Sequence, residues 1–302
     1  MKKKTLYVIL IVLFVLGIAT AFFIIENKNK DRYYFKDNSF LYSQDRGNPI
    51  YEMSLKEEND SVAVYNVNFQ SRNFLNYTTK VYGLLIMPKN KTNPPGLILL
   101  PGGSVTKESE SILGEKIANL GYAVLTFDQR GVGQTGGYYL GLQEDYNVFA
   151  QGNEPTQHLS VYDALKAYDV LKQMKNIDKN NIAIAGESMG GRYAIIAAAI
   201  DKRLKGVLII SSSGFHFQNE NKPYTPYLES VDPDTYIARI SPNPVFMLHS
   251  SNDTMIPISD AKTTFNIAKE PKKFYEVSGC PHGYCQEMWE MLKSDLQELF
   301  KM

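Results

Sequence analysis

Ile182 to Gly191 reads IAIAGESMGG, and this stretch decides the fold. Ile182 to Ala185 is a short apolar run suited to a strand buried on both faces. A GxSxG pentapeptide follows from Gly186 to Gly190, and Arg192 to Ile200 then shows apolar residues at helical spacing. A strand, a tight turn and a helix with serine at the apex lift that hydroxyl above a sheet, because small residues on either side permit a strained turn. Taken without its surroundings, the stretch also reads as an ordinary glycine-rich strand-to-helix turn.

Working outward, the same unit recurs. Leu97 to Leu100, Tyr122 to Phe127, Val207 to Ile210 and Val245 to His249 read as short buried strands, with a strand-like stretch at Phe274 to Val277. Glu108 to Leu120, Leu159 to Met174 and Gln286 to Phe300 read as helices, the first ended by Gly121. Alternation of this kind predicts βαβ crossovers, hence an α/β domain with a mainly parallel sheet covered by helices on both faces. Ahead of it, Val62 to Phe69 and Thr78 to Met87 predict an antiparallel pair.

Serine becomes a nucleophile when an imidazole takes its proton and a carboxylate holds that imidazole in the right tautomer. The chain has four histidines. His158 falls at the start of a helix, where solvation is expected; His216 and His249 read as pocket-wall or structural residues. His282, in GCPHGY between the last strand and last helix, is the favoured base. Asp253, in the turn LHSSNDTMIP after a strand, is the favoured acid, ahead of Asp232, Asp234 and Asp260, which read as cap or turn residues. Asp128 and Arg130 read as a structural pair shaping their turn.

Taken in order, LLPGGS at 99–104, FDQRGVGQTGG at 127–137, GESMGG at 186–191, HSSNDTMIP at 249–257 and CPHG at 280–283 resemble the α/β-hydrolase superfamily. The closer likeness is to its dienelactone-hydrolase, prolyl-oligopeptidase and acyl-thioesterase-like branch. The resemblance covers roughly residues 60 to 302. It implies an α/β-hydrolase fold, a Ser188, Asp253 and His282 triad, and an oxyanion hole of backbone amides at Met189 and in the loop after Leu100. Many relatives carry His-Gly where this chain has Pro101 and Gly102; the amide of Gly103 is the chosen loop donor, since a backbone donor needs no particular side chain. The implied activity is cleavage of a small-molecule carboxylic ester through an acyl-enzyme. Thioester or peptide cleavage on the same fold, or a non-catalytic membrane-tethered binding module, are the alternatives.

No zinc-spaced ligand set and no phosphate-binding GxGxxG at a helix start is present, so neither metal nor cofactor is expected. Cys280 and Cys285, the two cysteines, bracket His282; a small disulfide loop holding the base and two unrelated buried thiols are both open readings. Gln134 to Gln157 and Ser213 to Pro244 are expected as irregular insertions above the carboxyl ends of the strands. Their aromatic residues read either as a lid over an apolar substrate or as anchors for the loops themselves.

Lys plus Arg number 32 and Asp plus Glu 32, so no basic surface exists for a nucleic-acid partner. With 44% hydrophobic residues the 302-residue chain has material for a core, which excludes global disorder. Leu6 to Ile25 is uncharged and as a helix would span roughly 30 Å, the thickness of bilayer hydrocarbon. A cleaved signal peptide is the other reading, but the apolar run continues past the small residues Ala19 to Ala21. The expected division is a transmembrane anchor at 1–26, a membrane-proximal linker at 27–60 and the hydrolase domain at 61–302, placed outside the cytoplasm.

Overall fold

Short apolar strands buried on both faces form the centre of the sheet. The computed structural model describes residues 32–77, 79–217 and 222–300. The expected span Leu6 to Ile25 lies outside the described residues; among those described, no helix is long and apolar enough to cross a membrane. The strands are β1 (Tyr33–Lys36), β2 (Ser39–Tyr42), β3 (Tyr51–Glu58), β4 (Val62–Gln70), β5 (Lys80–Pro88), β6 (Pro95–Leu100), β7 (Ala123–Phe127), β8 (Asp178–Glu187), β9 (Val207–Ile210), β10 (Val245–Ser250) and β11 (Lys272–Val277). Nine form one sheet in the order β11-β10-β9-β8-β6-β7-β5-β4-β3, while β1 and β2 make a separate hairpin. Pairs from β7 through β11 are parallel and the β3, β4, β5 end is antiparallel.

Successive residues of the parallel strands enter different cores. Ile98 and Leu100, Ile182 and Ile184, and Val245 and Met247 pack on one face with helices α3 (Thr156–Gln173) and α4 (Met189–Ile200). Leu97 and Leu99, Ala183 and Ala185, and Phe246 and Leu248 pack on the other with α1 (Lys107–Ala118) and α7 (Trp289–Phe300). Burial on both faces explains why these strands read as continuous apolar runs.

Three departures from the sequence reading have physical causes. Residues 33–58, within the expected linker, carry β1, β2 and β3, and β3 is the sheet's edge. Being exposed over nearly its whole length, YEMSLKEE lacks the apolar alternation that marks a half-buried strand. The two insertions also contain helices, α2 (Leu142–Ala150) in the first and α5 (Thr225–Val231) in the second, before α6 (Ile258–Ile267) further on. Finally, Asp128 and Arg130 do not bond each other. Asp128 accepts from the Lys107 amide and Nζ and from the Gln134 amide, each at 2.8 Å. Arg130 makes a two-pronged bond to Asp163 at 2.7 and 2.8 Å and donates to the Arg72 carbonyl.

Removing one member of a buried ion pair strands the other without solvent. Asp163→Ala should therefore lower the unfolding free energy by about 3–5 kcal/mol in urea titration. Glu57→Ala, which breaks an exposed pair with Lys56, should cost under about 1 kcal/mol. Similar losses for the two variants would contradict this assignment.

Candidate active site

The site is built where β8 turns into α4. Ser188 sits at that junction with φ 52° and ψ −116°, a region that L residues rarely occupy. Its amide donates to the Ile210 carbonyl at 2.9 Å, tying the turn to the end of β9. A Cβ on Gly186 would overlap the Gly190 carbonyl, and one on Gly190 would overlap the carbonyls of Leu100 and Pro101. Glycine at these two positions therefore lets strand, helix and the neighbouring loop approach closely enough to hold the turn.

His282 lies in the loop between β11 and α7, and its Nδ1 is 2.8 Å from Asp253 Oδ2. A carboxylate only accepts, so Nδ1 carries the proton and Nε2 presents its lone pair. Asp253 Oδ1 accepts the amides of Met255 and Ile256, both at 2.9 Å. Burial works to raise the Asp253 carboxyl, but these amides and the imidazole outweigh it and hold the group below the ordinary carboxylate value. The acid thus stays ionised where it faces the ring.

The loop that carries His282 is fastened at several points. Cys280 and Cys285 are joined in a disulfide with Cα atoms 5.8 Å apart. Ser250 Oγ donates to the Cys280 carbonyl at 2.6 Å and Ser211 Oγ to the Gly283 carbonyl at 3.2 Å. Glu187, the residue before Ser188, accepts the Tyr284 amide at 3.0 Å. The His282 loop is therefore bonded to the residue before Ser188. Among the described residues Ser188 Oγ and His282 share no hydrogen bond, a contact that commonly tightens only when substrate is bound.

The two residues chosen as oxyanion-hole donors, Gly103 and Met189, are neighbours in space. A Cβ on Gly103 would sit 3.8 Å from Met189 Sδ, and the Gly103 amide has no acceptor among the described residues. Met189 is the first residue of α4, so its amide lacks an intrahelical partner and points along the positive end of the helix.

The other histidines are committed elsewhere. His158 is fully buried rather than solvated: Ser230 Oγ gives its proton to the Tyr227 carbonyl, so His158 Nε2 donates to Ser230 Oγ at 2.7 Å while Tyr33 OH donates to Nδ1. Phe40 stacks on the ring at 3.9 Å, and burial keeps it neutral. His249 donates Nε2–H to the Ile256 carbonyl and lies 3.5 Å from Asp253, backing the acid. His216 pairs with Asp234 at 2.6 Å. Asp232 accepts amides of Phe215, Phe217 and Asp234, and Asp260 sits in the first turn of α6. Of the insertion aromatics, Phe149 and Tyr227 pack with His158 as anchors, whereas Tyr138 and Tyr139 are exposed.

The description of the acetyl xylan esterase (AXE1) family matches residues 26–220, about two thirds of the chain. The chain belongs to the AXE1 family. Among curated relatives it is 25% identical over 167 residues to the uncharacterized protein YfhR of Escherichia coli O157:H7, covering 53% of each chain. It is 33% identical over 134 residues to the Penicillium oxalicum (strain 114-2 / CGMCC 5302) protein named hydrolyase poxO, covering 43% of this chain and 29% of that one. The chain thus spans about half the length, or less, of these curated relatives. Among solved structures, the acetyl xylan esterase from Paenibacillus sp. R4 aligns with TM-score 0.69 and 21% identity over 84% of this chain and 90% of that one. Acetyl xylan esterase 1 from Thermoanaerobacterium sp. JW/SL YS485 aligns with TM-score 0.66 and 17% identity over 83% and 88%. At such identities the likeness establishes the α/β-hydrolase fold of the AXE1 family.

Two features escaped the sequence reading. One is Glu187 as a fastener of the base loop, hidden because its partner Tyr284 is 97 residues away. The other is Glu110 on α1, buried beside Glu187 with Oε1 unpartnered. Burial first, and then the charge of Glu187, push the Glu110 carboxyl up to about 8.

Two predictions follow from this geometry. Digestion without reductant should yield one tryptic peptide carrying Cys280 and Cys285 about two mass units lighter than its reduced form; alkylation of both thiols before reduction would contradict the disulfide. Between the ordinary carboxyl value of 4.5 and about 8, folded Glu110 keeps a proton that the unfolded chain has lost, so its presence lowers stability as pH rises through that window. Glu110→Gln should gain stability over the parent between about pH 5 and about pH 8 in urea melts, and a pH-independent difference would refute that assignment.

Proposed function

We propose that this chain is a serine esterase that cleaves a small-molecule carboxylic ester through Ser188, His282 and Asp253. The observation that carries the proposal is the 2.8 Å bond from His282 Nδ1 to an ionised Asp253, in a loop bonded to the residue beside the Ser188 elbow. In this reading His282 Nε2 takes the Ser188 hydroxyl proton as Oγ attacks the ester carbonyl carbon. The resulting oxyanion is held by the amides of Met189 and Gly103. Collapse breaks the ester C–O bond, and the imidazolium returns its proton to the leaving alkoxide. Water, deprotonated by the same ring, then hydrolyses the acyl-enzyme and restores Ser188.

Membership of the AXE1 family supports ester chemistry, and the relatives' printed names make acetate the first acyl group to test. No metal or cofactor is assigned a role. We further propose that the domain stands outside the cytoplasm on a single-pass anchor at Leu6 to Ile25. The uncharged run supports this, as does the disulfide, a bond that persists in oxidising compartments.

Wild-type protein should react with a fluorophosphonate probe and hydrolyse 4-nitrophenyl acetate, while Ser188→Ala loses both. Measured triads lose on the order of 10⁴-fold in kcat when the acid is neutralised, and Asp253→Asn should fall within about tenfold of that loss. A wild-type protein inert to both reagents would favour the tethered binding module instead.

A further inference from the structure

We propose that Arg192 anchors a carboxylate on the substrate, so that this site takes esters whose acyl or alcohol part is anionic. The inference rests on the serine-esterase reading of the same site.

Arg192 stands one turn into α4, its amide donating to the Ser188 carbonyl at 3.3 Å. Helical side chains lean toward the N-terminus of their helix, so Arg192 covers the turn that begins at the nucleophile. Its guanidinium carbon lies 4.0 Å from the centre of the Phe215 ring, and Nε donates to the Ser213 carbonyl at 3.0 Å. Both contacts come from the loop after β9, the strand whose Ile210 carbonyl accepts the Ser188 amide. The neighbouring Ser212 Oγ donates to the Ser188 carbonyl at 2.7 Å. Guanidinium, loop and nucleophile therefore share one rim of the sheet.

Among the described residues this cation has no acid partner. Five arginines among the described residues are buried or half-buried, and four have carboxylate partners: Arg46 with Asp169 and Asp201, Arg72 with Glu154, Arg130 with Asp163, and Arg203 with Asp201. Arg192 forms no ion pair among the described residues. The nearby acids are engaged: Asp232 by backbone amides, and Asp234 by His216. The two terminal nitrogens of Arg192 bond to nothing among the described residues, yet they are not sealed from solvent. Burial holds the group below the ordinary guanidinium value.

A partly desolvated charge without a counter-ion is costly to keep. An incoming carboxylate relieves that cost. Guanidinium suits it, since two adjacent N–H groups match two oxygens and the aromatic ring beneath fixes the fork. An arginine that merely staples the Ser213–Phe215 loop would act on every substrate alike, whereas an anion anchor acts by substrate charge.

The test is kcat/KM on two charge-matched pairs. In the acyl pair, 4-nitrophenyl hydrogen adipate is compared with 4-nitrophenyl hexanoate; in the alcohol pair, 4-acetoxybenzoate is compared with its methyl ester. Arg192→Met should lower the anionic-to-neutral ratio at least about tenfold in one pair, the worth of a charge-assisted bond. Arg192→Lys, which keeps the charge but not the fork, should recover part of it. A ratio within about twofold of wild type in both pairs overturns the proposal. Ser188→Ala serves as the control: a wild type active on the neutral esters with an unmoved ratio removes only the Arg192 assignment, while a wild type inert on all four esters removes the esterase reading with it.

Discussion

The backbone of Ser188 occupies a strained conformation that costs of order 1–3 kcal/mol, and the site depends on the surroundings holding it there. They do so through steric closeness. Helix α4 starts within a Cβ's reach of β8 on one side and of the Leu100–Pro101 carbonyls on the other, so the chain has no room to relax. The same closeness sets Met189, the first residue of α4, beside Gly103, and the Ile210 carbonyl takes up the Ser188 amide from the end of β9. One tight turn thus ties β8, α4, the end of β9 and the loop after β6 together.

Around that turn, the loop that carries His282 is held by cross-links of different kinds. His282 stands in a loop between two elements, with its ring oriented by Asp253 and its backbone fastened by a disulfide, two serine hydroxyls and Glu187. Asp253 is itself fixed by two amides and backed by His249, so ring orientation is inherited from a rigid turn rather than from a free side chain. Orientation of this kind is what allows a neutral imidazole to keep the tautomer that exposes Nε2.

The legible part of the chain was the part governed by local pattern. Strands β6, β7, β9 and β10 and the Ile182–Gly186 part of β8 declare themselves because they are buried on both faces, and the elbow because its glycines and serine adjoin a strand and a helix. Strand β3 was hidden by its exposure at the sheet edge, and β1 and β2 by partners far along the chain: the Phe40 amide donates to Tyr236 OH, 196 residues away. His158 was misjudged for the same reason, since its cage is made by Phe40, Tyr33 and Ser230 rather than by its helix. Chain order and turn context pointed to Asp253 and His282, which the fold brings to 2.8 Å of each other. That Arg192 has no acid partner among the described residues was not legible, because such an absence is a property of the folded surroundings.

The central claim is geometric: hydroxyl, imidazole, carboxylate and two amides converge on one reacting carbon. A crystal structure of the protein after reaction with a small alkyl fluorophosphonate tests it most directly. The account predicts a phosphorus–oxygen bond to Ser188 Oγ, with the phosphonyl oxygen about 2.7–3.1 Å from the amides of Met189 and Gly103 and His282 Nε2 within hydrogen-bond reach of the adduct. An adduct on another side chain, or a phosphonyl oxygen turned away from both amides with His282 out of reach, would contradict it.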